Sequence, residues 1–371
     1  MNWNLLTYDE AKSIATEATD ALFYEATTEV DGYKISMFNY RLANYSDFIK
    51  YNANELRGLT FVFDKDGSYK RYLMLHKFWN LNQVEETLYN NVKDFKIKNV
   101  MTKEDGSLIS FIKLPNGKVM ARSKMSLISD QAVAATNLYN TNNDIKVLVD
   151  VALNNDIALF FEYVSRENKI VLDYSKEDLI LLKARDNNTG DYIDIENEIV
   201  TNVNTADFHN YTLDEVIELA NTTENMEGWV IETENNLMKI KTDWYFTRHK
   251  LFTEQLNRAN DVVKLILDEE IDDVLAQLSD SEADMAKRDW IEGVEKAVSN
   301  YISTANNNIE RLVNDYKGDR KEFALTYRKD KWFSMAMNVI NGKDKYEGIK
   351  QRLFKDTYHL KEAENWIKVY G

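Results

Sequence analysis

Short apolar runs separated by turn-forming residues dominate the first two thirds of the chain. Runs rich in β-branched and aromatic residues and bounded by Gly, Asn or Asp are typical of β-strands. The runs are YKISMFNY, LRGLTFVF, SYKRYLML, SLISFIKL, KVMARSK, IALFFEYV, KIVLDY, DLILLKAR, EGWVIET and LMKIKTDWYF. Hairpin signals stand between neighbouring runs at Asp66-Gly67, at Asn116-Gly117 and at residues 234–236. The pattern therefore predicts antiparallel sheets.

Helical periodicity interrupts these runs twice and then replaces them. The segments SDQAVAATNLYNTNNDIKVLVDVALNN and LDEVIELANT predict helices within the first part. Beyond about residue 250 strand signals are missing, and apolar residues recur on one helical face. These residues are Trp290, Val294, Ala297, Val298, Tyr301, Ile302, Ala305, Ile309, Leu312 and Val313. We predict an α+β fold with an antiparallel-sheet domain over residues 1–248 and an all-helical domain over residues 249–371.

Composition narrows the functional class. The 371 residues are 44% hydrophobic and 29% charged, as in folded soluble proteins, and they contain no Cys. Disulfide scaffolds, thiolate zinc sites and cysteine nucleophiles are therefore excluded. The four His residues include no close pair at metal-ligand spacing, which argues against a histidine metal site. The N-terminus does not resemble a signal peptide, and no apolar run reaches the roughly 20 residues of a membrane span. We expect a monomeric cytoplasmic protein that makes no membrane contact.

Charge is distributed unevenly along the chain. The net charge of −16 argues against a generally cationic nucleic-acid coat protein. However, residues 93–124 carry eight Lys/Arg and three acids, and residues 311–371 carry 14 Lys/Arg and nine acids. The segment 239–250 is also basic. These three segments are candidates for phosphate contacts.

A candidate nucleophile lies in the first basic segment. Lys103-Glu104-Asp105-Gly106 precedes the strand SLISFIKL. A lysine at a sheet edge beside other cations can lose its proton and attack an electrophile, and a nearby Gly allows a nucleotide to approach the backbone. The tetrad alone is weak evidence, because Asp64-Lys65-Asp66-Gly67 is a similar string in a predicted hairpin.

A colinear set of motifs strengthens the assignment. The motifs are ELRGLTFVF, HKFWNLN, TKEDGSLIS, FFEYV, EGWVIET and KIKTDWYF. Together they resemble those of the covalent nucleotidyltransferases, the superfamily of polynucleotide ligases and mRNA capping enzymes. The RG, KFWNLN, KEDGS and KIKTDWY forms resemble the RNA ligase 1 family of T-even phages in particular. The resemblance spans about residues 36–245, and the helical C-terminal region is also expected for that family.

The resemblance implies a role for each motif residue. Lys103 would attack ATP and carry AMP, Glu162 would hold the ribose hydroxyls, and Glu227 would act near the lysine and a metal. Lys239 and Lys241 would contact the α-phosphate. The remaining cations implied by the resemblance, which would bind outer phosphates, the RNA 5′-phosphate or the nucleotide, are Arg57, Lys77 and Lys124. The implied cofactors are ATP and Mg²⁺ or Mn²⁺.

Structural explanations compete with several of these roles. Glu162, Lys239 and Lys241 could be solvated strand residues, and Arg57 and Lys77 could be plain surface charges. Trp79 and Tyr245 could stack on the base or belong to the core. Asp272 and Asp273 could bind metal with Glu227, although a solvated acidic helix face is the favoured explanation of these two residues.

The sequence thus predicts an ATP-dependent RNA ligase. It would join RNA 5′-phosphate and 3′-hydroxyl ends through lysyl-AMP and RNA-adenylate, with nicked tRNA in phage-infected cells as the implied substrate. A DNA ligase or a capping guanylyltransferase is an alternative, although such enzymes usually carry a β-barrel OB domain after the last motif. A catalytically inert RNA-binding protein is a second alternative. The helical domain would contribute tRNA specificity or would only pack on the core.

Overall fold

The structure is a computed structural model that describes residues 5–17, 22–41, 43–168, 171–195, 202–234, 236–248, 258–268, 271–275, 278 and 282–371. It does not describe the side chains of residues 247, 248, 273, 274 and 282–284. The chain forms two compact units, one within residues 1–18 and 22–250 and the other within residues 251–371.

The first sheet of the first unit is a four-stranded antiparallel meander. Its strands, in spatial order, are β1 (Phe23–Val30), β2 (Tyr33–Tyr40), β3 (Leu59–Phe63) and β4 (Tyr69–Tyr72). The predicted hairpin at Asp66-Gly67 joins the last two, with Gly67 at φ 87°. Helices α1 (Tyr8–Glu17) and α2 (Tyr45–Tyr51) pack with this sheet around an aromatic core that includes Phe23, Phe38 and Phe61.

The second sheet is also antiparallel. Its strands are β7 (Ser107–Lys113), β8 (Val119–Arg122), β9 (Ile157–Val164), β10 (Asp178–Asp186) and β11 (Tyr192–Ile193). Their spatial order is β11-β10-β9-β7-β8. Helices α4 (Asp130–Thr141) and α5 (Asn143–Asn154) cover it. The predicted helical stretch is therefore two helices, because the Asn142 side chain accepts hydrogen bonds from the backbone of residues 144 and 145 and starts a new helix.

The third sheet carries most of the predicted site motifs. Its strands are β5 (Trp79–Asn80), β6 (Ile97–Lys103), β12 (Phe208–His209), β13 (Gly228–Thr233) and β14 (Leu237–Lys241). Their spatial order is β12-β6-β13-β14-β5, and among these pairings only that of β14 with β5 is parallel. Helices α3 (Tyr89–Val92) and α6 (Leu213–Thr222) contribute to the core on this sheet.

Three predicted strands differ from the structure. Two end earlier than predicted, and the described residues of the third do not form a strand. SYKRYLML is a strand only to Tyr72, and residues 73–78 continue without regular structure. LMKIKTDWYF leaves the sheet after Lys241 and becomes helix α7 (Asp243–Arg248). Residues 171–174 of KIVLDY are not a strand, because the backbone amides of Val171 and Leu172 bind a carboxylate instead of a neighbouring strand.

The described residues of the second unit form helices and the short connections between them. Its helices are α8 (Ala259–Leu267), α9 (Ile271–Leu275), α10 (Glu282–Asp315), α11 (Arg320–Tyr327), α12 (Phe333–Ile340), α13 (Lys345–Asp356) and α14 (Leu360–Tyr370). The predicted apolar face of the long helix α10 is buried from Val294 to Leu312, whereas Trp290 is 37% exposed and lies outside that core. The α+β fold, with antiparallel sheets followed by helices, is thus confirmed. Among the described residues no helix is long and apolar enough to cross a membrane.

Candidate active site

Strand register brings Lys103, Glu227 and Lys241 together. Gly228 pairs with Lys103 on one side and with Lys241 on the other, because β13 lies between β6 and β14. Glu227 immediately precedes Gly228, and its two carboxylate oxygens take one ammonium each. Lys103 Nζ donates to Glu227 Oε2 at 2.8 Å, and Lys241 Nζ lies 3.0 Å from Glu227 Oε1. The three residues form one charge cluster around the buried Glu227, which we call the lysine–carboxylate cluster.

Gly228 is required for this arrangement by close backbone approach. A Cβ atom at Gly228 would lie 2.0 Å from the carbonyl oxygen of Ile240, and the residue has a φ of 153°. No side chain fits between the strands at this point. The EG pair of the EGWVIET motif thus combines a carboxylate with the residue that lets both lysines reach it.

The charges of the cluster are distributed asymmetrically. Burial acts to raise the pKa of Glu227, but the two ammonium groups outweigh it and hold that pKa below its usual value, so Glu227 is ionised at neutral pH. The side chain of Lys103 is 24% exposed, whereas that of Lys241 is 9% exposed and that of Glu227 is 4% exposed. Lys103 is therefore the most exposed member of the cluster.

The loop after Lys103 is held by residues distant in sequence. Asp105 is buried, and its Oδ2 accepts hydrogen bonds from the backbone N–H groups of Val171 and Leu172 at 2.8 and 2.7 Å. Tyr245 donates its hydroxyl to Asp105 Oδ1 at 2.8 Å. In addition, the Asp105 N–H donates to the hydroxyl of Tyr174 at 2.9 Å. These bonds fix the backbone on which the lysine stands.

Glu162 lies on β9 and faces the same loop. Its Oε1 accepts a hydrogen bond from the N–H of Gly106 at 3.1 Å. A Cβ atom at Gly106 would lie 2.3 Å from the carbonyl oxygen of Tyr163, so only glycine permits this approach. Burial raises the pKa of Glu162 to about 8, and the Glu227 charge adds to the effect, whereas Lys103 opposes it. Glu162 is therefore a buried carboxyl group and not an outward-facing strand residue.

Lys77 lies among aromatic rings. Its ammonium lies 4.3 Å from the ring centroid of Trp79, 5.1 Å from that of Tyr40 and 5.7 Å from that of Phe48. Trp79 is buried and packs edge-on against Phe48, so it belongs to the core beneath the lysine. Such cation–π contacts hold an ammonium in place without neutralising it.

Lys124 and Arg57 lie close to Lys77. The ammonium of Lys124 lies 4.9 Å from the Tyr40 ring, so Tyr40 contacts both lysines. Arg57 Nη1 donates to the carbonyl oxygen of Leu75, two residues before Lys77, at 3.2 Å. We call Arg57, Lys77 and Lys124 the aromatic-side cations.

Lys239 joins the site through its strand. It lies two residues before Lys241 on β14, so both side chains leave the same face of the third sheet. Lys239 pairs with Asn80 of β5, and its carbonyl oxygen accepts from the N–H of Leu81 at 2.9 Å. The structure therefore brings the KFWNLN and KIKTDWY motifs side by side.

The residues predicted to bind metal belong to different units of the chain. Glu227 lies in the lysine–carboxylate cluster, whereas Asp272 lies on α9 of the second unit and the side chain of Asp273 falls outside the described residues. Within the described part of the chain, no group of three or more His, Asp or Glu side chains is arranged to hold a metal ion. Metal binding by Asp272 and Asp273 stays a prediction.

Sequence reasoning missed the supports of the site. Tyr174 was part of a predicted strand, and the hydrogen bond of Tyr245 could not be foreseen from its position in DWYF. Arg122, in the predicted strand KVMARSK, is completely buried. The only available signal was the polar character of these residues within apolar runs, which is ambiguous without the tertiary partners.

Known proteins resemble both the sequence and the fold. Residues 55–256, more than half of the chain, match the RNA ligase family. A Thermovibrio ammonificans protein named "Putative RNA ligase" is 28% identical over 267 residues, which cover 69% of this chain and 68% of that protein. A protein of Autographa californica nuclear polyhedrosis virus named "Putative bifunctional polynucleotide kinase/RNA ligase" is 29% identical over 204 residues, which cover 51% of this chain but only 28% of the viral protein.

A solved structure shares the fold over nearly the whole chain. An archaeal ATP-dependent RNA ligase superimposes with a TM-score of 0.51 at 12% identity, covering 91% of this chain and 96% of that protein. At this identity the likeness concerns the fold alone. The family match spans the segment that carries Arg57, Lys103, Glu162, Glu227 and Lys241, and the chain belongs to the RNA ligase family.

Proposed function

We propose that the protein is an ATP-dependent RNA ligase that works through a covalent AMP on Lys103. The observation that carries the proposal is the contact of Lys103 with Glu227 beside Lys241, in a member of the RNA ligase family. Lysine is suited to the first step, because its nitrogen can displace pyrophosphate from the α-phosphorus of ATP and form a phosphoramidate. The N–P bond forms as the P–O bond to pyrophosphate breaks.

The contacts of Lys103 suggest how this step proceeds. The ammonium must release a proton before its lone pair can attack. Because two cations lower the pKa of Glu227, this carboxylate is a weak base, and its role is to orient Lys103. The exposed side of Lys103 would pass the proton to solvent or to the bound nucleotide. Lys241 would stabilise the negative charge that develops on the α-phosphate.

The remaining site residues would grip the nucleotide. The carboxyl group of Glu162 would hydrogen-bond the ribose hydroxyls, Lys239 would contact the α-phosphate with Lys241, and the aromatic-side cations would bind outer phosphates or the RNA 5′-phosphate.

The donor set fits a magnesium ion held largely by substrate. Mg²⁺ commonly takes one or two carboxylates together with phosphates and water, so a cage of three acidic side chains is not required. Glu227 is the carboxylate that would contribute to such an ion. When bound, Mg²⁺ or Mn²⁺ would neutralise charge on the phosphates.

After adenylylation, two further transfers would complete ligation. The RNA 5′-phosphate would displace Lys103 from AMP and form RNA-adenylate. An RNA 3′-hydroxyl would then attack the 5′-phosphate and expel AMP, leaving a phosphodiester. Pyrophosphate leaves with the oxygen that joined it to the α-phosphorus of ATP, and AMP leaves with an oxygen of the RNA 5′-phosphate, which the RNA 3′-oxygen replaces.

Labelling with α-³²P-ATP tests the proposal. The wild-type protein with Mg²⁺ is expected to take label in a covalent band, and Lys103→Ala is expected to lose it. A folded wild-type protein that stays unlabelled by ATP would contradict the proposal. Labelling by GTP, or sealing of nicked DNA in preference to single-stranded RNA, would favour a guanylyltransferase or a DNA ligase instead.

We further propose that the helical unit contacts broken tRNA. Its α13–α14 corner exposes three neighbouring rings, with Phe354 and Tyr358 at 5.7 Å and Tyr358 and His359 at 4.9 Å between centroids. Lys355 and Lys361 flank these rings and are exposed. Aromatic faces beside cations suit unstacked bases and phosphates. Tighter use of a tRNA broken in its anticodon loop than of unstructured RNA would support this role, and equal use would reject it. Action as a monomer in an infected host cell stays a prediction.

A further inference from the structure

The segment that leads to Lys77 is buried but has no strand partner. Residues 73–78 lie between β4 and β5 without regular structure, and residues 73–76 are buried. Buried backbone carbonyl groups are costly unless they accept hydrogen bonds. The bonds that satisfy this segment therefore also decide where Lys77 stands.

Arginine side chains from three different strands or loops supply these bonds. Arg122 Nη2 donates to the carbonyl oxygens of Tyr72 and Leu73 at 3.3 and 2.7 Å. Arg185 Nη1 donates to that of Met74 at 2.8 Å. Arg57 Nη1 donates to that of Leu75, as described above. Four consecutive carbonyl groups are thus bound by guanidinium groups, whose rigid fork of donors suits such a row.

Arg185 and Arg122 differ in how their charge is compensated. Arg185 is buried with Glu55, and its Nη1 and Nη2 lie 3.0 and 2.8 Å from the two carboxylate oxygens. Arg122 is also completely buried, but among the described residues it forms no ion pair, and burial lowers its pKa. Its known partners are backbone carbonyl groups alone, so its bonds are set by the position of the backbone.

Arg122 also contacts the loops that carry the other two aromatic-side cations. Its Nη1 donates to the carbonyl oxygen of Gly58, the residue after Arg57. Lys124 follows Arg122 by two residues, and a Cβ atom at Gly58 would lie 3.0 Å from the Lys124 carbonyl oxygen. One buried guanidinium thus touches the backbone beside Arg57 and the backbone leading to Lys77, and it stands on the strand that ends before Lys124.

We propose that Arg122 is a positioning residue that fixes Arg57, Lys77 and Lys124 relative to one another, so that they act as one binding site for the outer phosphates of ATP. This inference rests on the proposed function for the identity of the ligand. Arg122 itself does not touch the substrate. Its loss would let three backbone segments shift, and a cluster of cations loses affinity for a polyphosphate when its members are misplaced.

The test measures phosphate binding separately from chemistry. Arg122→Met removes the guanidinium while keeping an apolar chain in its place. We expect the ATP concentration for half-maximal Lys103 labelling to rise about tenfold or more, with the final extent of labelling unchanged at saturating ATP. We also expect tripolyphosphate binding, followed by intrinsic tryptophan fluorescence, to weaken about tenfold.

Arg122→Lys separates charge from geometry. An ammonium retains the charge but cannot reach the carbonyl groups of Gly58, Tyr72 and Leu73 together. We expect the same defect as in Arg122→Met. Wild-type half-saturation in Arg122→Lys would show that the charge alone is needed and would overturn the positioning role.

Arg71→Met is the matched control. Arg71 is a half-buried arginine that also donates to backbone carbonyl groups, those of Leu5, Leu6 and Asn187, without contact to the loops of Arg57 or Lys124. We expect it to lower the melting temperature without changing half-saturation by ATP or tripolyphosphate. An equal loss of phosphate affinity in Arg71→Met would reduce the effect of Arg122 to stability and overturn the inference.

Gly58→Ala decides the question if the Arg122 variants do not fold. Gly58 has a φ of 85°, and an added Cβ would lie 3.4 Å from Arg122 Nη1 and press on the Lys124 backbone. It therefore disturbs the same junction while keeping the buried charge. A folded Gly58→Ala protein with wild-type tripolyphosphate affinity overturns the inference. Absence of labelling in the wild-type protein with intact tripolyphosphate binding would instead contradict only the proposed function.

Discussion

Two groups of cations in the first unit differ in a contact that their members share, a carboxylate in one group and an aromatic ring in the other. In the lysine–carboxylate cluster, Lys103 and Lys241 share the two oxygens of Glu227. Among the aromatic-side cations, Lys77 and Lys124 share the ring of Tyr40. A carboxylate neutralises part of the charge that it binds, whereas a ring face attracts a cation and leaves its net charge in place.

The two kinds of contact suit the two roles that we propose for the site, reaction at Lys103 and binding of phosphate. The lysine that would react needs an exact orientation and less repulsion from its neighbour, and Glu227 supplies both. The cations that would bind phosphate need to keep their charge, and aromatic rings allow this.

Removing the shared carboxylate should have the largest effect. Glu227→Gln keeps the shape but loses the negative charge between Lys103 and Lys241, so the two ammonium groups repel each other. We expect adenylylation of Lys103 to slow by about 10²–10³-fold, measured as the rate of labelling at saturating ATP.

Glu232→Gln provides the control for this change. Glu232 lies on the same strand and forms an ion pair with the buried Lys183, outside the lysine–carboxylate cluster. It should lower stability and leave the labelling rate near wild type. If both variants slow labelling equally, loss of any ion pair on β13 is sufficient and the special role of Glu227 is rejected.

Adding one methyl group at Gly228 should separate the two lysines. The new Cβ would clash with the Ile240 carbonyl oxygen, forcing β13 and β14 apart. We expect Gly228→Ala to lower the free energy of unfolding by about 1–3 kcal/mol and to slow labelling by about tenfold or more. Urea denaturation and the labelling rate would be measured on the same preparation.

Gly117→Ala is matched to this variant by backbone conformation. Gly117 has a φ of 89°, but nothing lies within 4 Å of its Cβ position. A loss of stability without a loss of labelling is expected. Unchanged labelling in Gly228→Ala would mean that the register of Lys103 and Lys241 is unimportant for the reaction.

Removing the Lys77 ammonium, which lies among aromatic rings, should mainly affect ATP binding. We expect Lys77→Met to raise the half-saturating ATP concentration about tenfold and to make binding less sensitive to salt, because one phosphate contact is lost. Titrations at two ionic strengths measure both effects. Lys146→Met is the control, since Lys146 lies 4.4 Å from the Tyr139 ring on the surface of helix α5. A lower maximal rate with unchanged ATP dependence in Lys77→Met would contradict a phosphate-binding role.

The smallest expected effect is a change in how the free energy of unfolding depends on pH. Because burial raises the pKa of Glu162 to about 8, the folded protein holds this proton over a range in which the unfolded chain releases it. The contribution of Glu162 to stability therefore falls as pH rises toward 8. Relative to wild type, Glu162→Gln should become more stable by on the order of 1–3 kcal/mol between about pH 5 and pH 8.

Urea denaturation across this pH range checks the sign. Glu218→Gln, a change at an exposed helix position, is the control variant and is measured at the same pH values. A difference between Glu162→Gln and wild type that stays constant over this pH range would show that the Glu162 carboxyl group is ionised in the folded protein at neutral pH.

Much of the architecture could be predicted because its signals are local. The hairpins at Gly67 and Gly117, the strand of Lys239 and Lys241 and the buried face of α10 follow from residue type and periodicity. Errors occur where distant side chains replace strand partners. The carbonyl groups of residues 73–75 accept hydrogen bonds from Arg57, Arg122 and Arg185, and the amides of residues 171–172 donate to Asp105, so apolar runs in both places do not become strands.

The candidate site residues can be predicted from the amino-acid sequence, whereas their contacts cannot. The amino-acid sequence is sufficient to predict the antiparallel α+β class, the helical second part, and a set of motif residues from Arg57 to Lys241 that indicates nucleotidyl transfer. The folded structure is needed to show that Glu227 contacts two lysines, that Tyr40 contacts two others, and that Arg122 is buried among backbone carbonyl groups. Periodicity specifies which face of a strand or helix is buried, whereas these contacts depend on strand order and register between segments far apart in the chain.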